Sequence, residues 1–136
     1  MRPPRGEQVQ VIVCEDVRVD ASTRLNLLGV YGPSIEVETF PTILPTLCGV
    51  VLVLNPAEWF SHVRSEFVDP NGVQLARGEL NIAKPADLSL FQSQHVLKMY
   101  PVPLSQSGIY SFRWWFTDDN SVGLVRDVIV RPKIAT

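Results

Sequence analysis

Apolar and polar residues alternate in short stretches along most of the chain, and this pattern predicts β-strands. The clearest stretch covers residues 108–118, where every second residue is a large aromatic one: Tyr110, Phe112, Trp114 and Phe116. A period of two is typical of a strand with one buried face. Leu47 to Leu54 is apolar at nearly every position, as expected for a strand at the centre of a sheet. The pattern therefore predicts an all-β chain.

Eleven prolines and eight glycines separate these stretches and leave no room for a helix of ordinary length. Asp69-Pro70-Asn71-Gly72 predicts a hairpin turn, and Gly32-Pro33 predicts a second hairpin between residues 23–31 and 34–38. The alternation falters at Arg126, which predicts a β-bulge. Regularly spaced short strands predict a single antiparallel β-sandwich of about eight or nine strands.

The domain organisation follows from the ends of this pattern. Residues 1–9 contain Pro3, Pro4 and Gly6 and are predicted to form a flexible arm. The sandwich is expected to span residues 10–132, with a short tail over 133–136. Residues 84–93 fit either a capped helical turn or an irregular crossover, and the sequence leaves both open.

The residues before the aromatic strand resemble a tyrosine corner. In immunoglobulin-like sandwiches, a tyrosine that follows a Gly-x pair turns its hydroxyl back to the chain upstream. Gly108-Ile109-Tyr110 matches that position, whereas Phe112 stands where antibody domains place a cysteine. The resemblance implies an immunoglobulin-like arrangement without its disulfide, with a C2-like sandwich as the alternative.

A second resemblance covers most of the chain. It rests on Cys14-Glu15-Asp16-Val17-Arg18 near the start, followed by Leu27-Leu28-Gly29-Val30-Tyr31 and by the proline-bounded stretch 40–45. The sequence resembles a family of small bacterial proteins of unknown function that share this opening and this strand. The resemblance implies a bacterial origin and a sandwich fold. It implies no activity, cofactor or catalytic residue.

Composition and charge narrow the range of functions. Twelve basic and fourteen acidic side chains give a formal net charge of -2, and neither sign is clustered. This balance argues against a nucleic-acid binder. The longest apolar run is far shorter than the roughly 18 residues of a membrane-spanning helix, and no charged-then-apolar leader opens the chain. We therefore expect a cytoplasmic protein that does not insert into membranes.

The two cysteines and two histidines are the candidates for chemistry. Cys14 and Cys48 lie in apolar strands, where free cysteine packs as a small hydrophobic residue, and a disulfide between them is the alternative. His62 is expected on a solvated face, and His95 is expected to be a partly buried, hydrogen-bonding residue. A thiol or hydrolytic enzyme built on Cys14 or His95 is a remote alternative, because no catalytic motif is present. The sequence predicts a non-enzymatic protein with no cofactor.

Acidic residues at strand ends suggest one alternative site. Carboxylates are the ligands that Ca²⁺ prefers, and Glu15 with Asp16, Asp20, Asp118 and Asp119 could converge in the fold. The ordinary interpretation is that these residues satisfy local backbone donors in turns. A calcium- or small-ligand-binding sandwich is therefore the second hypothesis.

Trp115 indicates the first hypothesis, a protein-binding surface. The alternation that buries Trp114 places Trp115 on the opposite face, in a row with Ile109 and Arg113. Tryptophan and arginine dominate interface energetics, so this row is the predicted contact with a protein partner or a second copy of the chain. The alternatives are that the same chain covers Trp115 or that it stacks on an arginine stem. Pro101-Val102-Pro103 fits a docking ligand less well than a blocked sheet edge.

Overall fold

Eleven β-strands and no α-helix form the described part of the chain. The computed structural model describes residues 1–22, 24–88 and 92–134. The strands are β1 (Gly6–Val19), β2 (Leu25–Val30), β3 (Ser34–Val37), β4 (Thr42–Leu44), β5 (Leu47–Pro56), β6 (His62–Val68), β7 (Gln74–Asn81), β8 (Gln92–Met99), β9 (Val102–Leu104), β10 (Gly108–Trp115) and β11 (Gly123–Pro132). The all-β prediction is confirmed. The strand count is higher than predicted, because the proline-flanked segments β4 and β9 form a small sheet of their own. No described helix is long and apolar enough to cross a membrane.

The strands form three sheets. A four-stranded sheet has the order β2-β1-β5-β8, a five-stranded sheet has the order β3-β11-β10-β6-β7, and β4 pairs with β9. The predicted central strand is confirmed, since β5 pairs with β1 on one side and with β8 on the other. Neighbouring strands are antiparallel except for β3, which runs parallel to β11. This pair differs from the wholly antiparallel prediction.

One hydrophobic core lies between the two larger sheets. Val13 and Val51 enter it from the four-stranded sheet, and the aromatic residues of β10 enter it from the five-stranded sheet. At its centre the ring of Phe112 lies 4.5 Å from the ring of Phe67 between centroids. Opposite Phe112 stands Gly49, where an added Cβ would lie 2.5 Å from the phenylalanine ring. The sheets can approach this closely because that position of β5 carries no side chain.

Tyr110 fixes the entry into β10. Its side chain is fully buried, and its hydroxyl donates to the carbonyl of Gln106 at 2.8 Å. This is the hydrogen bond predicted from the Gly108-Ile109-Tyr110 sequence. Because the bond returns to a residue four positions upstream, it holds the loop after β9 against the start of β10.

The two predicted hairpins have different outcomes. The turn at 69–72 connects β6 to β7 as predicted, with Gly72 at a φ of 80°. The hairpin across Gly32-Pro33 is wrong, because β2 pairs with β1 and β3 pairs with β11 in the other sheet. The amide of Tyr31 still donates to Val13 of β1, whereas the carbonyl of Pro33 already accepts from Ile129 of β11. Gly32-Pro33 is therefore the crossing between the sheets.

The predicted bulge at Arg126 is also wrong. The register between β10 and β11 is regular from Gly108 opposite Val130 to Trp115 opposite Gly123. Arg126 keeps its place on the inner side of the sheet, and its guanidinium donates to the carbonyls of Val11 and Gly32. The apparent break in the alternation is a charged side chain that links the edges of the two sheets.

The chain start is bonded to the fold. Strand β1 begins at Gly6, so residues 6–9 belong to it and not to the predicted arm of 1–9. Arg2 forms a parallel bridge with Val122, and its guanidinium binds Glu58 at 2.6 and 2.7 Å. At the other end, the amide of Lys133 donates to Val37. Of the unassigned segment 84–93, residues 89–91 lie outside the described part of the chain.

The end of β1 and strand β2 form a hairpin that folds over the outer side of the four-stranded sheet. Val17, Leu25 and Leu27 pack there against Cys48 and Val50 in a second, smaller apolar cluster. Lys98 links β8 to the end of β1, since its ammonium lies 2.8 Å from the Asp16 carboxylate and 3.4 Å from the Val17 carbonyl. This hairpin therefore reaches across β5 to β8 and buries both cysteines.

Candidate functional site

The predicted contact residues lie on the outer face of the five-stranded sheet, the side that points away from the core. Ile109 is 56% exposed at the start of β10, and Trp115 is half-buried at its end. Arg113 lies between them, with its guanidinium 3.3 Å from the Glu66 carboxylate of β6. The structure thus places all three on one face of one strand, along about 20 Å at the usual strand rise.

The environment of Trp115 has features of both alternatives to a protein contact, an arginine neighbour and a segment of the same chain. The Arg64 guanidinium lies 5.6 Å from the centre of its indole ring. The same guanidinium donates to the Asn120 side chain and to the Thr117 carbonyl, which fix its position. On the other side Trp115 pairs with Gly123, where an added Cβ would lie 2.5 Å from the sulfur of Met1. The side chain of Met1 therefore occupies the space over Gly123, next to Trp115, and Trp115 is half-buried between Arg64 and the chain start.

Strand β11 adds apolar residues to this face that the sequence pattern did not predict. Val125 is 51% exposed and lies opposite Arg113, and Ile129 is 44% exposed and lies opposite Ile109. The signal was present, since both residues alternate with the inward Val128 and Val130, but the expected bulge broke that alternation. We call Ile109, Val125, Ile129 and Trp115 the apolar strip.

Charges of both signs surround the apolar strip. The pairs Arg113 with Glu66 and Arg131 with Glu36 lie on either side of it. Near its middle the Ser111 hydroxyl donates to the Asp127 carboxylate at 2.6 Å. Such exposed ion pairs add little to stability. These pairs matter for recognition instead, because a face with both charges does not attract a partner that carries a strong charge of one sign.

The acidic residues of the calcium hypothesis do not converge. Asp118 and Asp119 follow β10 beside the start of the chain, where Arg2 bridges Val122, whereas Asp16 lies near the other end of β1, about 30 Å along the strand. Asp16 binds Lys98, and Asp20 accepts from the amides of residues 22 and 24. Hydrogen bonds from Ser121 lower the pKa of Asp119 to about 2. Within the described residues, no three metal-ligating side chains lie together.

The two cysteines face each other across β1 and β5. Cys14 and Cys48 are register partners, both are free thiols, and both are fully buried under the hairpin of β1 and β2. Burial raises the pKa of both thiols, that of Cys48 to about 11. Because the thiolate is the reactive form, this environment is that of packing residues and not of nucleophiles.

We therefore expect both thiols to be slow in the folded protein. A chromogenic disulfide reagent at pH 8 should modify them at least about 100-fold more slowly than in urea-unfolded chain, since burial reduces both access and the thiolate fraction. The measurement is the rate of thiolate release by absorbance. Similar rates in the folded and unfolded chains would revive the thiol-enzyme hypothesis, and Cys14→Ser and Cys48→Ser would then show which thiol reacts.

A second candidate site, after the outer face, lies inside the fold around His95. It is 4% exposed, its Nε2 lies 2.6 Å from the Ser93 hydroxyl, and its ring meets Phe116 edge-on at 5.3 Å. This matches the predicted hydrogen-bonding histidine, although the burial is deeper. Desolvation lowers the pKa of His95 to about 4, so the ring is neutral at physiological pH. The serine partner was missed, because a Ser-x-His spacing in a strand has no signature of its own.

A cavity of about 100 Å³ lies beside His95, between β6 and β7 of one sheet and β8 of the other. We call it the edge cavity, and it is lined by Val63, Ser65, Gly78, Leu80, His95 and Trp114. Glu79 and Val96 complete the lining, and they and Leu80 are exposed at the surface. Among the described residues, neither His95 Nδ1 nor Trp114 Nε1 has a hydrogen-bond partner. Both nitrogens have almost no accessible surface, so they do not border the open space of the edge cavity.

Comparison with known proteins places the chain in a family. The family of unknown function DUF6941 matches residues 10–123. The chain belongs to this family. No curated protein and no solved structure matches the chain. The prediction of an unknown-function family is therefore confirmed.

The DUF6941 match contains most of both features. Residues 10–123 include Ile109, Arg113 and Trp115, and they also include Ser93 and His95. Val125 and Ile129 lie beyond its end. The described DUF6941 structure therefore offers two places for function, the outer face with the apolar strip and the edge cavity beside His95.

Proposed function

We propose that this DUF6941 protein is a non-enzymatic, immunoglobulin-like β-sandwich that associates with a second copy of itself through the outer face of its five-stranded sheet. The order β1-β5-β8 corresponds to strands A, B and E of an immunoglobulin sandwich, and β11-β10-β6-β7 corresponds to G, F, C and C′. The Tyr110 hydroxyl bond to Gln106 supports the same assignment.

The observation that carries the proposed association is the apolar strip. Ile109, Val125 and Ile129 are branched aliphatic residues with between 44% and 56% of their surface exposed on two adjacent strands. Isolated exposed apolar residues are common, whereas a group of them beside a tryptophan is typical of an interaction site. The core between the sheets is formed by other residues, and the strip lies outside it.

A second copy is the partner that fits the charges. A two-fold interface joins a surface to itself, so each acidic group must find a basic group in the same patch. Arg113 with Glu66 and Arg131 with Glu36 supply both signs around the strip. A five-stranded face about 20 Å wide and about 26 Å long can bury, on both copies together, the roughly 1,000 Å² that is the lower limit for a biological interface.

The geometry of the strip suggests where the two-fold axis passes. Ile109 and Trp115 lie at opposite ends of the outer row of β10, with Ser111 and Arg113 between them. A two-fold axis that passes through the interface at the middle of this row places Trp115 of each copy against Ile109 and Ile129 of the other. Each copy would then cover the exposed part of the other's indole ring.

The proposed association is tested by sedimentation equilibrium. We expect wild-type protein to dimerise, and Ile109→Lys to weaken the dimer at least about 10-fold, since it replaces an apolar contact with a second cation beside Arg64, which already lies over the Trp115 ring. Trp115→Glu should weaken it as much. Ile43→Lys is the matched control, because Ile43 is 65% exposed on β4, outside this face.

Mixing two variants tests the arrangement itself. Ile109→Lys and Trp115→Glu should each be monomeric alone and should dimerise when mixed, because the introduced lysine of one then meets the introduced glutamate of the other. Wild-type protein that stays monomeric at millimolar concentration would contradict the proposal. A dimer that neither substitution weakens would place the interface on another surface.

A further inference from the structure

The cysteine pair lies on the four-stranded sheet, away from the proposed dimer face. Cys14 and Cys48 stand directly opposite each other in the register of β1 and β5. Both side chains lie on the outer side of this sheet in one apolar cluster, whereas Val13, the neighbour of Cys14, enters the core. Directly opposite residues of an antiparallel pair have Cα atoms about 4.5 to 5.5 Å apart, and a disulfide spans about 4.4 to 6.8 Å. The backbone therefore already has the spacing of a disulfide.

The position of the pair in the sheet gives such a bond a structural consequence. The pairing of β1 with β5 runs from Gly6 opposite Pro56 to Cys14 opposite Cys48, which is its last rung. From Cys14 onward β1 pairs with β2, beginning with Val30 opposite Cys14. The end of a ladder opens more easily than its middle. A covalent bond at this rung would fix the point at which the hairpin of β1 and β2 leaves the sheet.

Access to the two thiols requires this hairpin to open. Cys14 and Cys48 are fully buried, and Leu25 and Leu27 of β2 pack against their cluster. Strand β2 has six residues and, in the described chain, pairs only with β1. A short edge strand opens locally at lower cost than the strands of a core. The thiols are therefore shielded in the closed protein and reachable during these openings, in agreement with the slow thiol modification expected above.

We propose that Cys14 and Cys48 are a modification site, at which exchange with a small-molecule disulfide such as oxidised glutathione, during openings of the hairpin, forms a reversible intramolecular disulfide. The thiolate of one cysteine attacks glutathione disulfide, whose S–S bond breaks, and the first glutathione leaves as a thiolate. The thiolate of the other cysteine then attacks the mixed disulfide, forms the protein disulfide and releases the second glutathione. The two protein thiols are oxidised, glutathione disulfide is reduced to two thiols, and both protons end on glutathione.

The equilibrium with glutathione tests whether the fold favours this bond. Wild-type protein is equilibrated at known ratios of reduced to oxidised glutathione, once folded and once in urea, and the remaining thiols are counted by alkylation and mass spectrometry. In urea a flexible chain links the cysteines, and we expect an effective thiol concentration in the millimolar range. In the folded protein we expect a value at least about 100-fold higher, because the register holds the thiols opposite each other.

Unfolding by urea provides an independent check. The reduced and oxidised proteins, folded and unfolded, form a thermodynamic cycle, so the disulfide should lower the unfolding constant by the same factor of at least about 100. The measurement compares protein with the preformed disulfide and protein kept in reductant. An effective concentration in the folded protein equal to or below that in urea would show that the strands oppose the bond, and the proposal would be wrong.

A shifted cysteine tests the role of the register. The double variant Cys48→Val with Val50→Cys moves one thiol two positions along β5, within the same buried cluster. The two cysteines are then diagonal neighbours, about 7–8 Å apart, whereas a disulfide requires less than about 7 Å. We expect an effective concentration at least about 10-fold below that of the wild type. An equal value in this variant, folded according to circular dichroism, would overturn the proposal.

The rate of oxidation tests access through the hairpin. Leu27 packs against the cysteine cluster, whereas the next residue, Leu28, is 42% exposed. Leu27→Ala should favour the opening of β2 and accelerate disulfide formation by oxidised glutathione roughly 10-fold. Leu28→Ala is the matched control and should stay within about 2-fold of the wild-type rate. An unchanged rate in Leu27→Ala would contradict exchange during openings of this hairpin.

Discussion

Replacing Phe112 with alanine is expected to lower the free energy of unfolding by about 3–5 kcal/mol, as for other fully buried aromatic residues. Phe112 is 0% exposed, and its ring contacts Phe67 and stacks on Trp114 at 5.7 Å. The opposite wall is the backbone at Gly49, which has no side chain to move into the space. The cavity left by the substitution therefore cannot collapse easily. Urea unfolding followed by far-ultraviolet circular dichroism measures the effect.

The matched control for this prediction is Ile109→Ala on the same strand. Ile109 lies on the outer face with 56% of its surface exposed, so its truncation should change the stability of the monomer by less than about 0.5 kcal/mol. Both variants must be compared at a concentration where the protein is monomeric, because a dimer adds stability by mass action. A loss below 1 kcal/mol for Phe112→Ala would contradict the core described above.

The fold could be predicted where alternation was uninterrupted. The aromatic row of β10 and the continuous apolar run of β5 gave the right strands and the right buried faces, because burial dictates both patterns. The hairpin across Gly32-Pro33 was wrong because turn residues signal a change of direction but not the sheet in which the next strand lies. Arg126 misled in another way, since a long side chain on an inner position at a sheet edge reaches backbone acceptors and tolerates its charge.

The candidate sites show a similar division. The outward position of Ile109, Arg113 and Trp115 follows from alternation alone, and the structure agrees with it. The neighbours Val125 and Ile129 required the β10 and β11 register, which sequence periodicity does not give. The edge cavity could not be predicted, because it depends on how closely β7 approaches β8. Gly78 permits that approach, since an added Cβ would lie 2.9 Å from the Ser65 hydroxyl and 3.2 Å from Leu97.

The second large effect is a loss of stability in mild acid that His95 causes. The unfolded chain binds a proton at His95 near its ordinary pKa of 6.5, whereas desolvation lowers the pKa in the folded protein to about 4. Between these values the unfolded state binds more protons, so the free energy of unfolding falls as the pH falls. The free energy of unfolding therefore keeps its full value above about pH 6.5, and His95 should lower it by about 3 kcal/mol by pH 4.

Other groups titrate near this window and must be separated from His95. Glu58 and Glu79 line the two cavities beside His95. The hydrogen bond from Arg2 lowers the pKa of Glu58, so protonation of Glu58 also lowers the stability of the protein in acid. His95→Gln retains a polar group that does not titrate. Between pH 6.5 and 4, its free energy of unfolding should fall by about 3 kcal/mol less than that of the wild type. His62→Gln is the matched histidine-to-glutamine control, at the histidine whose Nε2 lies 3.6 Å from the Glu79 carboxylate.

The measurement is urea unfolding of the three proteins at half-unit steps from pH 7 to 4, compared as differences from pH 7. Differences are informative because the carboxylates contribute equally to each protein and cancel. The same pH dependence in wild type and His95→Gln would mean that water or a ligand solvates the imidazole in the folded state.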